Sequence, residues 1–295
     1  MKHVFKVTLF LVVLFLLTQI VGLIITSRYV DVGQTIETGE LTWKALPSIG
    51  GFDIDRPDIE PGKSFLYILG AIVIGTVLIL LLIRWKRLNL WKLWFFVAVV
   101  LCLHVAFSAF IPANYSIFLA LILGIIKVYR PNIFVHNFTE MFIYSGLAVI
   151  FVPIMNLFAA FALMILLSLY DMYAVWKSKH MIHMAKFQTK SGVFAGLLMP
   201  YKAILPKVKG KKKVKKMGIR TAILGGGDIG FPLIFAGVVF KSVGLAKAMI
   251  IPPFAATALL LLLLLGKKNR FYPAMPFISA GCFIGYLVIL LTSLF

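Results

Sequence analysis

Along the chain, apolar residues gather into long unbroken runs, without the alternation of a half-buried strand or the single apolar face of a soluble helix. The runs cover residues 4–26, 64–83, 93–111, 115–128, 138–152, 157–176, 219–240, 243–265 and 272–295. Most approach the roughly 20 residues that a helix needs to cross the hydrocarbon core at 1.5 Å per residue. They predict an all-α polytopic membrane protein with nine transmembrane helices, forming a single membrane-embedded unit over 1–295. The fourth and fifth runs are short, so eight spans with one long re-entrant segment is the competing count. The first run follows Lys2 and Lys6 as a signal peptide would. It is longer than a signal-peptide apolar region and lacks a small-residue cleavage site, so it is read as a span.

Charge sets the orientation. The formal net charge of +20 would suggest a nucleic-acid partner in a soluble chain, but in a membrane protein Lys and Arg mark the cytoplasmic loops. Placing the N-terminus in the cytoplasm and the C-terminus outside puts 24 of the 30 basic residues on the inner side. No nucleic-acid partner is expected; the bilayer is the partner surface. Seven of the ten acids, Asp31, Glu37, Glu40, Asp53, Asp55, Asp58 and Glu60, fall in the outer loop 27–63, which is expected to hold a small hairpin or amphipathic piece. The basic inner loop 177–217 reads as an orientation signal and a contact for anionic lipid. Within it, 193–206 is apolar but broken by Gly196, Pro200 and Pro206, and is expected to lie in the interface or to stay partly disordered.

Metal and disulfide chemistry find little support. Cys102 and Cys282 lie in apolar runs far apart in sequence, and the pair His180 and His183 has no carboxylate or thiol ligand nearby. No metal or cofactor is expected. His104 and His136 read as hydrogen-bonding groups at span ends, and Glu140 lies about one turn from the inner end of its span.

Asp171 and Asp228 remain deep in apolar sequence, one in the sixth span and one in the seventh. A carboxylate there costs several kcal/mol unless neutralised, paired or solvated, so each is a candidate functional group. Counted from Lys177 and Arg220, they lie roughly 9 and 12 Å from the inner boundary, and antiparallel neighbours would bring them face to face. Two carboxylates in one dry site do not both ionise readily. One then serves as base and the other as acid, which suits activation of water for attack on a peptide carbonyl.

The residues around these aspartates resemble those of the presenilin and signal peptide peptidase proteases. Tyr170-Asp171 is similar to the family's YD motif, Gly225-Gly-Gly-Asp228 fits GxGD, and Pro273-Ala274-Met275 resembles its PAL motif, with Met275 in place of leucine. The order of the motifs along the spans matches over nearly the whole chain. The resemblance implies a nine-helix fold, Asp171 and Asp228 as catalytic residues, and cleavage of substrate helices within the bilayer. It also implies that Tyr170, Gly225, Gly227, Pro273, Ala274 and Met275 lie in the active-site neighbourhood. The orientation favours the presenilin arrangement and substrates whose N-termini lie outside.

Other readings stay open at this stage. Gly225, Gly226 and Gly227 permit close backbone approach, and Gly226 with Gly230 is equally a helix-packing pair. Pro273 and Pro276 suit the first turn of any helix. Intramembrane aspartates also build ion sites, so a proton- or cation-coupled transporter or channel is the competing function. Both aspartates sit in one consecutive helix pair, not in two inverted halves, which favours the protease. Prepilin and preflagellin peptidases resemble the chain less, having fewer spans and no PAL-like element. Both motifs lie on one chain, so no obligatory partner is expected for the chemistry; homo-oligomerisation is left open.

Overall fold

The computed structural model describes residues 5–85, 87–130, 132–177, 187, 192–209, 212–266 and 272–293. In chain order the long helices are α1 (Phe5–Arg28), α3 (Ser64–Arg84), α4 (Leu88–Phe107), α5 (Ala113–Tyr129), α6 (Ile133–Phe151), α7 (Leu157–Met172), α8 (Gly227–Val243), α10 (Ile251–Leu265) and α11 (Met275–Thr292). Two short helices, α2 (Val32–Thr38) and α9 (Leu245–Ala248), sit in connections, and α7 runs into a π-helical turn at Tyr173–Lys177. Among the described residues, seven helices are long and apolar enough to cross a membrane. The chain is thus a multi-pass membrane protein. α5 and α8 have only 17 residues each.

The membrane-crossing part is all-helical, as expected, and one element besides the helices was not foreseen. Strands β1 (Gly196–Lys209) and β2 (Lys212–Gly225) form a two-stranded antiparallel hairpin between α7 and α8. The segment 193–206 is therefore mostly strand, ordered from Gly196 onward. The seventh apolar run does not start a helix at 219 either. Residues 219–225 belong to β2, and the helix begins only at Gly227. Hydropathy alone cannot separate a buried strand from a helix over so short a run, and Ile219, Ile223 and Leu224 suit both. The fifth run also begins earlier than predicted, because Asn132 caps α6 by accepting from the Phe134 amide at 2.9 Å. Its polar first half, with His136, Asn137 and Glu140, hid that start.

Lipid offers no hydrophobic force between helices, so close packing at small residues holds them together. Gly22 of α1 receives the Leu233 side chain of α8, and a Cβ there would come within 2.6 Å of its Cδ1. At Gly146 of α6 a Cβ would collide with the Cys102 carbonyl oxygen of α4. Gly281 and Gly285 of α11 lie against Phe254 and its neighbours in α10. The principal core joins α1, α6, α7, α8, α10 and α11 through Phe15, Ala148, Leu163, Leu233, Leu259 and Ile278.

The loop 27–63 folds locally, as its length allowed. Asp31 caps α2 by accepting from the Gln34 amide at 3.2 Å, and Gly39 ends it with φ of 72°. An isolated bridge joins Val30 and Trp43. The Tyr29 hydroxyl donates to the Val105 carbonyl at 2.7 Å, which ties the loop to α4. Burial pushes its pKa up to about 12, so it remains a donor at any ordinary pH.

Candidate active site

Asp171 lies in the last turn of α7 and Asp228 in the first turn of α8. The two helices run antiparallel. Lys241, near the end of α8, donates to the carbonyls of Val152, Pro153 and Met155 in the link that leads into α7, so α7 starts where α8 ends. Higher up, Phe161 of α7 meets Phe235 of α8 edge to face, with 5.0 Å between ring centroids. From that contact Asp171 lies about 15 Å down α7 and Asp228 about 10 Å down α8, in the same direction, at 1.5 Å rise per residue. Both aspartates therefore reach the same end of the helix pair at similar depth.

No helix runs from Arg220 to Asp228, so the depth of roughly 12 Å expected from the sequence does not apply. The residues between are strand, so Asp228 is reached from the hairpin and not from within a helix.

Asp171 is 4% exposed. One carboxylate oxygen accepts from the Met275 amide at 3.1 Å, and the Ala274 amide serves the same carboxylate. α11 begins there with Pro276 in its first turn, and no earlier residue of that helix claims these N–H groups. The contact brings the Pro273-Ala274-Met275 stretch to Asp171, and Ala274 and Met275 are both buried. Ser168 and Ser279, 2.9 Å apart between hydroxyls, lock α7 to α11 one turn further in.

Asp228 is half-buried and follows three glycines. Gly225, the last residue of β2, sits so near its carboxylate that a Cβ there would lie 3.3 Å from an oxygen. Gly226 and Gly230 both face Tyr144 of α6, where a Cβ at Gly226 would stand 2.6 Å from the tyrosine oxygen. This pair is thus a seat for an aromatic ring. Gly227 faces Phe231, with ordinary contact distances. Pro232 leaves the first turn of α8 short of one donor, and the Gln19 side chain of α1 donates to the next carbonyl, Ile229, at 2.8 Å.

Tyr170 is turned to α3, its hydroxyl 3.4 Å from that of Thr76. Among the described residues no group of His, Cys, Asp and Glu could hold a metal ion. His180 and His183, and the basic residues Lys267, Lys268 and Arg270, lie outside the described residues.

Sequence reasoning missed a buried polar cluster beside the hairpin root. Lys127 and Glu140, each with a side chain 1% exposed, form an ion pair at 2.6 Å. Glu140 also accepts from the Tyr144 hydroxyl and from the Gly196 amide. In sequence, each is an ordinary polar residue near a span end. The one available signal was that both lie on the same side of the membrane, with a histidine and an asparagine alongside.

The family model for signal-peptide peptidase, presenilin aspartyl protease matches residues 50–294. The chain belongs to this family. It is accordingly an intramembrane aspartyl protease, an aspartic endopeptidase, and the transporter reading is set aside. The fold agrees with that of a presenilin family intramembrane aspartate protease solved in two crystal forms. One is 16% identical with a TM-score of 0.60, covering 95% of this chain and 97% of that one. The other is 17% identical with a TM-score of 0.62, covering 96% of each. No curated protein matches the chain.

Proposed function

We propose that Asp171 and Asp228 are the acid–base pair of this protease, and that together they activate a water for attack on a peptide bond of a transmembrane substrate. The observation that supports it most is the hydrogen bond that the Met275 amide donates to Asp171, which joins two stretches of the motif set 104 residues apart. In the dyad one carboxylate takes the water's proton while the protonated partner donates to the carbonyl oxygen as negative charge develops there. The amides of Ala274 and Met275 orient Asp171 for this, and the packing of Gly226 against Tyr144 holds the turn that carries Asp228. Tyr170, Gly225, Gly227 and Pro273 complete the neighbourhood.

The substrate helix must be unwound before its carbonyls are accessible, and an extended strand needs new backbone partners. β2 offers them. Gly196 and Leu198 of β1 point their backbone groups away from β2, and these are taken by side chains of α6. Pro200, next on that edge, has no N–H, so the outer edge of β1 is closed to a further strand. By the same alternation residues 221, 223 and 225 of β2 direct theirs outward, with Thr221 and Ile223 exposed, three residues short of Asp228. The substrate strand adds there.

In the membrane the nine long helices each cross once, with the N-terminus in the cytoplasm and the hairpin on the inner side. One chain then suffices for the chemistry. The test is to incubate the purified full-length protein with a single-span substrate peptide and to weigh the products. Fragments ending inside the apolar stretch of the substrate are expected; intact substrate, or cuts confined to its flanks, would count against the reading.

A further inference from the structure

The side chains that close the outer edge of β1 form a single connected group. Asn137 accepts from the Leu198 amide at 3.0 Å and donates to the Leu198 carbonyl at 2.8 Å, as a neighbouring strand would. Two residues back along β1, Gly196 is held in the same way by two different side chains. Its amide donates to Glu140 at 3.0 Å, and His136 Nε2 lies 2.7 Å from its carbonyl oxygen. The Lys127 ammonium, which has no acceptor site, lies 3.2 Å from His136 Nδ1. That leaves the imidazole proton on Nε2, where it donates to Gly196, so Lys127 selects the tautomer that grips the strand. Lys127 also reaches Glu140 and Thr139, at 2.6 and 3.1 Å.

The group continues to the other strand. Glu140 accepts from the Tyr144 hydroxyl, and the Tyr144 ring lies on Gly226 and Gly230, one on each side of Asp228. Gly196 and Gly225 are register partners, and the Gly226 amide donates to the Ala195 carbonyl at 3.2 Å. Glu140 therefore holds the first residue of β1 directly and the residue after β2 through one tyrosine. A buried ion pair is a poor source of stability, since well-packed apolar residues of similar volume often do as well or better. Its presence at the root of the hairpin, linked to both strands, points to alignment.

We propose that Lys127, His136, Asn137 and Glu140 are positioning residues that fix the hairpin lengthwise against Asp228 and thereby select which peptide bond of the substrate is cut. This rests on the reading that substrate adds to β2. Strand pairing repeats every two residues, so a substrate on β2 meets the aspartates at a bond dictated by where β2 itself is held. With the clamp weakened, the hairpin root has more than one resting position, and neighbouring bonds come into line with Asp228.

The experiment weighs the products made from one single-span substrate by the full-length protein and three variants. Asn137→Leu removes two hydrogen bonds without stranding a charge. Lys127→Met with Glu140→Gln removes the ion pair as a unit, in case the first variant folds poorly. Ile223→Pro removes an outward amide from β2 and tests the substrate edge by itself. Losing one to two hydrogen bonds corresponds to roughly a five- to tenfold change in the preference for a single position. The expected result is that Ile223→Pro abolishes cleavage, while the two clamp variants still cleave but divide their products among bonds one or two residues from the original site. If the clamp variants lose activity in step with melting temperature and keep a single cut, the group is packing alone and the proposal falls while the β2 edge stands. If Ile223→Pro cleaves normally, the edge reading fails and takes the proposal with it.

Discussion

The backbone amide of Met275 lies 3.1 Å from a carboxylate oxygen of Asp171, and both groups are buried. The helix start at Ala274 thus serves as a fixed donor pair aimed at one aspartate. Donors held rigidly need no reorganisation when charge shifts during a reaction. The side chain of residue 275 takes no part in this contact.

Backbone and side chain at this position are therefore separable. Met275→Leu keeps the amide and nearly the volume, so cleavage and stability should stay close to wild type, within about 1.5 kcal/mol. Met275→Pro removes the donor, and cleavage should drop by at least about tenfold, the equivalent of a lost hydrogen bond to a charged group. Initial rates on a single-span substrate, alongside thermal melts, compare the two.

Ala274 and Pro273 lead into that turn. Ala274 is 9% exposed, so a larger side chain has little room beside Asp171. Ala274→Leu should reduce cleavage well beyond its effect on melting temperature. Losses in parallel would mark the stretch as ordinary helix packing.

Much of this was legible in the sequence because a charge in an apolar run is conspicuous. Asp171 and Asp228 stood out for that reason, and the Pro273-Ala274-Met275 stretch for its resemblance to the family's PAL motif. The hairpin was not legible as such. Its residues 219–225 run straight on into the apolar sequence of α8, and they become strand by pairing with β1, which His136, Asn137 and Glu140 hold through Gly196 and Leu198. Lys127 and Glu140 were hidden for the opposite reason: charged residues near span ends are common, and only folding makes them partners at 1% exposure.

The glycine two residues before Asp228 carries a steric prediction. Gly226 has φ of −64°, which any residue adopts, so alanine there costs nothing in backbone strain. Its Cβ would instead press on the Tyr144 oxygen at 2.6 Å. Gly226→Ala should impair cleavage, and Tyr144→Phe, which removes that oxygen, should restore part of it. A double-mutant cycle with a coupling energy near zero would contradict the contact.

The buried ion pair predicts a sharper pattern in stability. Lys127→Met alone strands the Glu140 carboxylate and should cost about 3–5 kcal/mol. Adding Glu140→Gln should recover much of that loss, read as the midpoint of thermal unfolding in detergent. Equal melting temperatures for the single and double variants would mean that the carboxylate is solvated.

The orientation is checked with tags at the two ends. On intact cells a C-terminal tag should be open to added protease and an N-terminal tag protected. Both ends protected, or only the N-terminus exposed, would overturn the nine crossings or their direction.

The aspartate pair itself is tested most directly by Asp171→Asn and Asp228→Asn, each purified, shown to melt as a folded protein, and assayed on a single-span substrate with product masses as the readout. Asparagine keeps the shape of the side chain but can neither take up nor release the proton, so each variant should lose at least about a thousandfold in turnover. Near-normal turnover in either folded variant would contradict the assignment of the two carboxylates as the acid and base of this protease.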